Sequence, residues 1–188
     1  MRSRVERSSD RGDSPYGKLR HVKLYIMRHG PAEERADSGV DADRSLTASG
    51  RDRVRSVAKV LVEEEERPVR IVTSQLVRAV QTAEIVALVT KLSDGTVETR
   101  RELAPGGEAM ELVRQLAAGG AKRVMLVGHE PDLSELVAKL VGAFERPFEK
   151  AMVVGLRMEG DGKDAKTRVR FVVDPKMLRL DPDSRDHD

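Results

Sequence analysis

Three short apolar runs, each breaking off abruptly into a turn, constrain this chain more than any other feature. Val22–Met27 (VKLYIM) ends at Arg28-His29-Gly30, Val69–Thr73 (VRIVT) ends at Ser74, and Arg123–Val127 (RVMLV) ends at Gly128-His129-Glu130. Short runs rich in aliphatic and β-branched residues suit strands buried on both faces. Helical periodicity follows each of them. Thr47 is an N-cap candidate for a helix whose Val54, Val57, Ala58 and Leu61 recur at i, i+3, i+4 and i+7. Ser74 reads as the cap of a second helix with the stripe Leu76, Val80, Ala83 and Ala87. Glu108–Ala118 predicts a third, and Pro131 opens a fourth with Leu133, Leu136, Val137, Leu140 and Val141 on its apolar face. The acidic run Glu63–Glu66 reads as a solvated helix end closed by Pro68. A weak strand around Thr96–Thr99 is expected, and the alternating runs Ala151–Met158 and Thr167–Val173 predict a closing hairpin.

Strands alternating with helices predict an α/β fold, a three-layer α/β/α sandwich with a mostly parallel sheet. Ligands in such sheets bind beyond the carboxyl ends of the strands. That rule gathers Arg28-His29-Gly30, Thr73-Ser74 and Gly128-His129 at one rim. The 188 residues suit one domain, expected over residues 21–175 between a disordered arm (1–20) and a polar tail (176–188). The arm carries six basic and three acidic residues and lacks the apolar centre of a secretory signal. No apolar run approaches the ~18 residues of a membrane span, so a soluble, cytoplasmic protein is expected. There is no cysteine, which excludes disulfides, thiolate metal sites and cysteine nucleophiles. A net charge of +2 with two Tyr, three Phe and no Trp argues against nucleic acid as a partner. No feature assigns an oligomeric state.

Four histidines occur, at 21, 29, 129 and 187. Two of them follow directly on a strand end beside a glycine, where backbone and ligand can approach closely. Either imidazole alone could simply be a polar strand end; two together favour reactive groups. The Arg28 guanidinium next to His29 calls for an anion, and Arg78, in the first turn of the second helix, projects from the same rim. Two guanidinium groups and two imidazoles near helix N-termini suit a phosphate dianion. Asp41-Ala-Asp43 and Asp181-Pro-Asp183 look like the paired aspartates of metal-dependent phosphatases, but neither follows an apolar strand. Both read as solvated loops. Gly106-Gly107 and Gly119-Gly120 make no nucleotide-binding fingerprint, and no metal-ligand spacing is present.

The segments LYIMRHG, SLTASGR, IVTSQLVRAVQTAE and VMLVGHEPDLSELV together resemble the histidine phosphatase superfamily, and within it the compact SixA-type phosphohistidine phosphatases. The resemblance implies that His29 is the nucleophile and carries a transient phosphohistidine. Arg28, Arg78 and His129 would then hold the non-bridging oxygens, with Ser74 and Gly30 shaping the pocket. A carbonyl at the other His29 nitrogen would fix its tautomer. No cofactor or metal is implied. Glu102, in RELAPGG, resembles the general acid of larger relatives and reads equally as a surface glutamate. Only 51 positions separate Arg78 from His129, too few for the capping subdomain of small-molecule relatives. An open, shallow pocket suits phosphate on a protein. The expected activity is a metal-independent phosphatase acting on a histidine-phosphorylated protein. The alternatives are a phosphomonoesterase for small or polyphosphate-like substrates, and a non-catalytic phosphate-binding module, against which the intact histidines count.

Overall fold

The computed structural model describes residues 21–93, 97–160 and 165–182. The arm expected over residues 1–20 lies outside the described residues, as do Thr96 of the weak strand and most of the hairpin turn. Strand β1 (His21–Arg28) sits in the middle of a seven-stranded sheet ordered β3-β2-β4-β1-β5-β6-β7. On one side of it β4 (Arg123–Gly128), β2 (Arg70–Thr73) and β3 (Val97–Thr99) run parallel to it. On the other, β5 (Val153–Glu159) and β6 (Lys166–Asp174) form the expected hairpin, antiparallel to each other and joined to β1 through β5.

Helices cover both faces, and the period-two alternation of the strands decides which helix meets which residues. Leu24 and Ile26 of β1, with Val124 and Leu126 of β4, pack beneath α3 (Ala109–Ala118) and α4 (Asp132–Val141). Tyr25 and Met27, with Met125 and Val127, pack beneath α1 (Ala48–Glu63) and α2 (Val77–Thr90). The Thr47 hydroxyl caps α1 by accepting from the Gly50 amide at 2.9 Å, as the sequence leads one to expect. Gly50 itself has no room for a side chain. A Cβ there would lie 2.0 Å from the Pro31 carbonyl oxygen, and one at Gly30 would lie 2.6 Å from Val54. The two glycines let the N-terminus of α1 close on the turn that ends β1. Among the described residues, no helix is long and apolar enough to cross a membrane.

Four expectations are corrected by the structure. The segment from residue 176 is not wholly a polar tail, because Arg179–Pro182 form β7 and extend the sheet beside β6. An edge strand needs main-chain partners more than an apolar face, and Leu180 still packs on the core under α1 and α2. The buried face of α2 is Arg78, Ala79, Thr82, Ala83 and Val86, whereas Val80 and Ala87 are only half-buried. This helix is apolar almost all round, so periodicity does not select the face. Ser74 does not cap α2. Its hydroxyl accepts from the Leu76 amide at 3.3 Å, and Leu76 holds the cap position with no side-chain bond.

Glu66 is the fourth. Glu63, Glu64 and Glu65 are exposed as expected, but Glu66 is 7% exposed. Helix α1 ends with Glu65 in the left-handed conformation (φ 57°), its amide bonding Val62 and the Glu66 amide returning to the Leu61 carbonyl. That Schellman-type closure turns Glu66 back under the sheet. There its carboxylate accepts from Lys23 Nζ at 3.0 and 3.1 Å, from the Tyr25 hydroxyl at 2.7 Å and from Arg170 at 2.8 Å. Bonds from these donors outweigh the effect of burial and hold the Glu66 carboxyl down at about 2, while burial and Glu66 push the Tyr25 hydroxyl up.

Removing the carboxylate takes a shared acceptor from Lys23, Arg170 and the buried Tyr25 hydroxyl. Glu66→Ala is expected to lower stability by about 3 kcal/mol, the low end for breaking a buried ion pair. Urea unfolding of parent and variant at pH 7 measures this. Turnover at a temperature where the variant is folded should be unchanged, since the network lies toward the amino ends of the strands.

Candidate active site

The parallel pairing of β1 with β4 sets Arg28 opposite Gly128. The next residue of each strand is a histidine, so the two imidazoles emerge side by side. Their ring centroids are 5.1 Å apart at an interplanar angle of 49°. The His29 amide bonds the Gly128 carbonyl at 3.1 Å, locking the strand ends together. Both imidazoles are buried, at 6% and 3% exposure.

His29 Nδ1 lies 2.7 Å from the carbonyl oxygen of Gly30. A carbonyl only accepts, so Nδ1 carries the proton and Nε2 keeps its lone pair. Burial pushes the His29 imidazole down to about 3, with the charges of His129, Arg78 and Arg28 adding to the effect. Burial and Arg78 likewise push His129 down to about 4, opposed by the negative charges of Asp132 and Asp41. Neither nitrogen of His129 finds a hydrogen-bond partner among the described residues, and neither does the buried Nε of Arg28. Unsatisfied buried polar groups cost about 1–3 kcal/mol each, a cost that a polar ligand bonded to them at this rim would offset.

Each guanidinium is held from behind by a main-chain carbonyl. Arg28 donates through Nη1 to Phe148 at 2.7 Å. Arg78 donates through Nη1 to the carbonyl of Asp41 at 2.8 Å and through Nη2 to the Asp41 carboxylate at 3.0 Å. Thr82, one turn on along α2, donates to the Arg78 carbonyl at 2.7 Å and accepts from the Gly30 amide at 3.1 Å. The hydroxyl thereby ties the helix that carries Arg78 to the residue after His29.

The structure thus brings Arg28, His29, Arg78 and His129 together. Gly30 and Ser74 serve this rim through the backbone: Gly30 by its carbonyl and amide, Ser74 by the turn it forms before α2 and by its amide bond to Val127 at 3.0 Å. Glu102 is the remaining candidate. It lies in a short 3-10 turn (Arg101–Leu103), where Arg100 clasps its carboxylate at 2.5 and 3.3 Å. Bonding to Arg100 holds that carboxyl below the usual range, whereas a proton donor needs its pKa raised. Asp41, Thr82 and Phe148 were not singled out from the sequence as site residues. Asp41 did stand out in the DAD triplet, and the structure pairs it with Arg78; among the described residues no cluster of three or more His, Asp and Glu is placed to hold a metal ion.

Two guanidinium groups, two imidazoles and unpaired buried polar atoms at one rim suit a tetrahedral oxyanion. Comparison with known proteins agrees. The sequence model described as histidine phosphatase superfamily (branch 1) matches residues 24–109. An uncharacterized protein of Picosynechococcus sp. strain PCC 7002 is 39% identical over 145 residues, spanning 72% of this chain and 85% of that protein. Phosphohistidine phosphatase SixA of Escherichia coli K12 is 29% identical over 145 residues, covering 75% of this chain and 88% of SixA. A solved structure of the protein histidine phosphatase SixA with tungstate superposes with a TM-score of 0.75 at 27% identity, covering 84% of this chain and 100% of that one. This chain belongs to the histidine phosphatase superfamily, with the compact SixA-type fold, and is a phosphatase.

Both buried imidazoles have folded pKa values below the unfolded value near 6.5. As pH falls below that value the unfolded chain takes up protons first, so stability present above pH 6.5 is lost progressively toward pH 4 and then 3. The variant His29→Ala, lacking one of these groups, is expected to lose less stability than the parent between pH 7 and 5. Urea midpoints of the two proteins in phosphate-free buffer check this, and an equal loss would contradict the buried, neutral state of His29.

Proposed function

We propose that this phosphatase removes phosphate from phosphohistidine on a protein, through a covalent intermediate on His29. The Nε2 lone pair attacks phosphorus, the bond from phosphorus to the substrate imidazole breaks, and its electron pair leaves on that nitrogen, which takes a proton from solvent. Water then attacks the phosphoryl group on His29, the new bond breaks, and Nε2 regains its lone pair as the water proton passes to solvent. Arg28 and Arg78 neutralise charge on the phosphoryl oxygens through both steps, and the neutral His129 imidazole donates a hydrogen bond to one of them. The fixed Nδ1–H tautomer supports His29 as the nucleophile, since it leaves the Nε2 lone pair free, and burial pushes the imidazole down to about 3, so it stays neutral at neutral pH.

The choice of substrate rests on one observation, the ion pair that keeps Glu102 ionised. An alkoxide leaving group is strongly basic and needs a proton as it departs; an imidazole does not need one from the enzyme. The carboxylates whose titration is clearly displaced, Asp41, Glu66, Glu98 and Glu102, all move downward. None of these carboxylates is tuned as an acid. The short connection from Arg78 to His129, filled by the rest of α2, β3, the 3-10 turn, α3 and β4, supports an open approach suited to a phosphorylated protein surface. The relative from Escherichia coli is itself named a phosphohistidine phosphatase.

Three substrates test the reading: a histidine-phosphorylated transfer domain, an aryl phosphate and a sugar phosphate. The parent is expected to be fast on the first two and slow on the third, with activity unchanged by EDTA. Glu102→Gln is expected to alter none of the three rates by more than about threefold. A fall of about 10²–10⁴ on the sugar phosphate alone, the usual worth of a positioned acid, would make Glu102 the acid and the protein a phosphomonoesterase. His29→Ala is expected to abolish turnover, and acid-labile phosphate trapped on that variant would exclude His29 as the nucleophile.

A further inference from the structure

The loop between β1 and α1 carries the short 3-10 turn Asp41–Asp43, and this turn rests on the helix that supplies Arg78. The bond between them is lopsided. The Arg78 side chain is 7% exposed and the Asp41 side chain 63%, so a nearly solvent-free cation is held by an acid that stays in water. Two readings compete. Asp41 could be an anion that occupies Arg78 until phosphate displaces it, or a fixed clamp that aims the guanidinium at phosphate.

The geometry favours the clamp. One of the two acceptors is the Asp41 main-chain carbonyl, which cannot leave without moving the backbone. That backbone is pinned along its length. Arg44 Nε donates to the Glu33 carbonyl at 2.6 Å, Ser38 donates to Asp43 at 2.7 Å, and the Leu46 amide donates to Gln81 on α2 at 2.7 Å. Arg44 also bonds the Asp41 carboxylate at 2.8 Å. These bonds to Arg44 and Arg78 hold the Asp41 carboxyl below its usual range, so it keeps its charge. The two bonds to Asp41 use one N–H on each terminal nitrogen of Arg78. A guanidinium has five such donors, so Nε–H and one N–H on each terminal nitrogen remain for an oxyanion.

We propose that Asp41 is a positioning residue for Arg78. By bonding the guanidinium through both its carbonyl and its carboxylate, it fixes the plane in which Arg78 presents its remaining N–H groups to phosphate. Fixing a long side chain in advance removes the cost of ordering it when the ligand binds, and bonds to a charged oxyanion are the ones that gain most from alignment. This role rests on the oxyanion reading of the rim but is independent of whether phosphohistidine is the substrate.

The test therefore uses tungstate and inorganic phosphate as probes alongside turnover. Asp41→Ala and Asp41→Asn are compared with the parent, each also in an Arg78→Ala background, with melting temperature as the check on folding. Asp41→Ala is expected to weaken tungstate binding about tenfold and to raise KM with a smaller change in kcat. Asp41→Asn, which keeps both acceptors, should recover most of that loss. In the Arg78→Ala background neither change should weaken binding further, because the group being positioned is gone. Tighter tungstate binding by Asp41→Ala would overturn the proposal and make Asp41 a displaceable competitor. Unchanged binding, or losses that add to that of Arg78→Ala, would equally overturn it. Should the parent bind neither tungstate nor phosphate, the oxyanion reading of the rim fails and this role fails with it.

Discussion

Strands β1 and β4 run parallel with Arg28 opposite Gly128, and the rim depends on that register. One residue further on, each strand delivers an imidazole to the same place, while the His29 amide closes on the Gly128 carbonyl. A slip of one residue would send the side chains of β1 to opposite faces, exchanging Leu24 and Ile26 with Tyr25 and Met27 in their two cores. The apolar packing of the sheet thus enforces the alignment of two polar groups that contribute nothing to it. Helix α2 then brings its guanidinium to this fixed pair, and the loop after β1 brings the acid that steadies the guanidinium.

These attachments form a closed circuit. The Gly30 amide bonds Thr82, Thr82 bonds the Arg78 carbonyl, and the Arg78 side chain bonds Asp41. From Asp41 the loop returns through Leu46 and Thr47, whose amide bonds the Pro31 carbonyl beside Gly30. Gly50 makes the last contact possible, since any larger residue would collide with that carbonyl. Gly30, the neighbour of His29, and the helix bearing Arg78 are therefore held from two directions. Where donors meet a tetrahedral ion, such preorganisation matters more than the number of contacts.

The sequence revealed those parts of the design that depend on periodicity and on strand ends. The buried strands, the helix faces of α1 and α4, the closing hairpin and the gathering of Arg28, His29, Arg78 and His129 were all legible in it. Less legible were features that turn on three-dimensional pairing. Helix α2 is apolar on nearly every side, so only the need to aim Arg78 and Thr82 inward selects its buried face. Glu66 stands in a run of four acids, and nothing in composition marks the one that a left-handed residue turns beneath the sheet. Asp41 and Glu102 were visible as acids, but their roles follow from which arginine each one meets. Strand β7 lies in a charged stretch where one leucine and main-chain pairing suffice.

The outermost strands, β3 and β7, are with β2 the shortest of the sheet. At one edge β3 has three residues, with Glu98 tied to Arg70 and Arg100. At the other, β7 has four, with Arg179 paired to Asp181 and a proline at its end. Each edge is brief, charged and poor in flat apolar surface, and at β7 the terminal proline offers no N–H. Such borders repel a further strand from another molecule. The sheet is closed to growth by its own sequence, so the chain is guarded against edge-to-edge aggregation even though it never curls into a barrel.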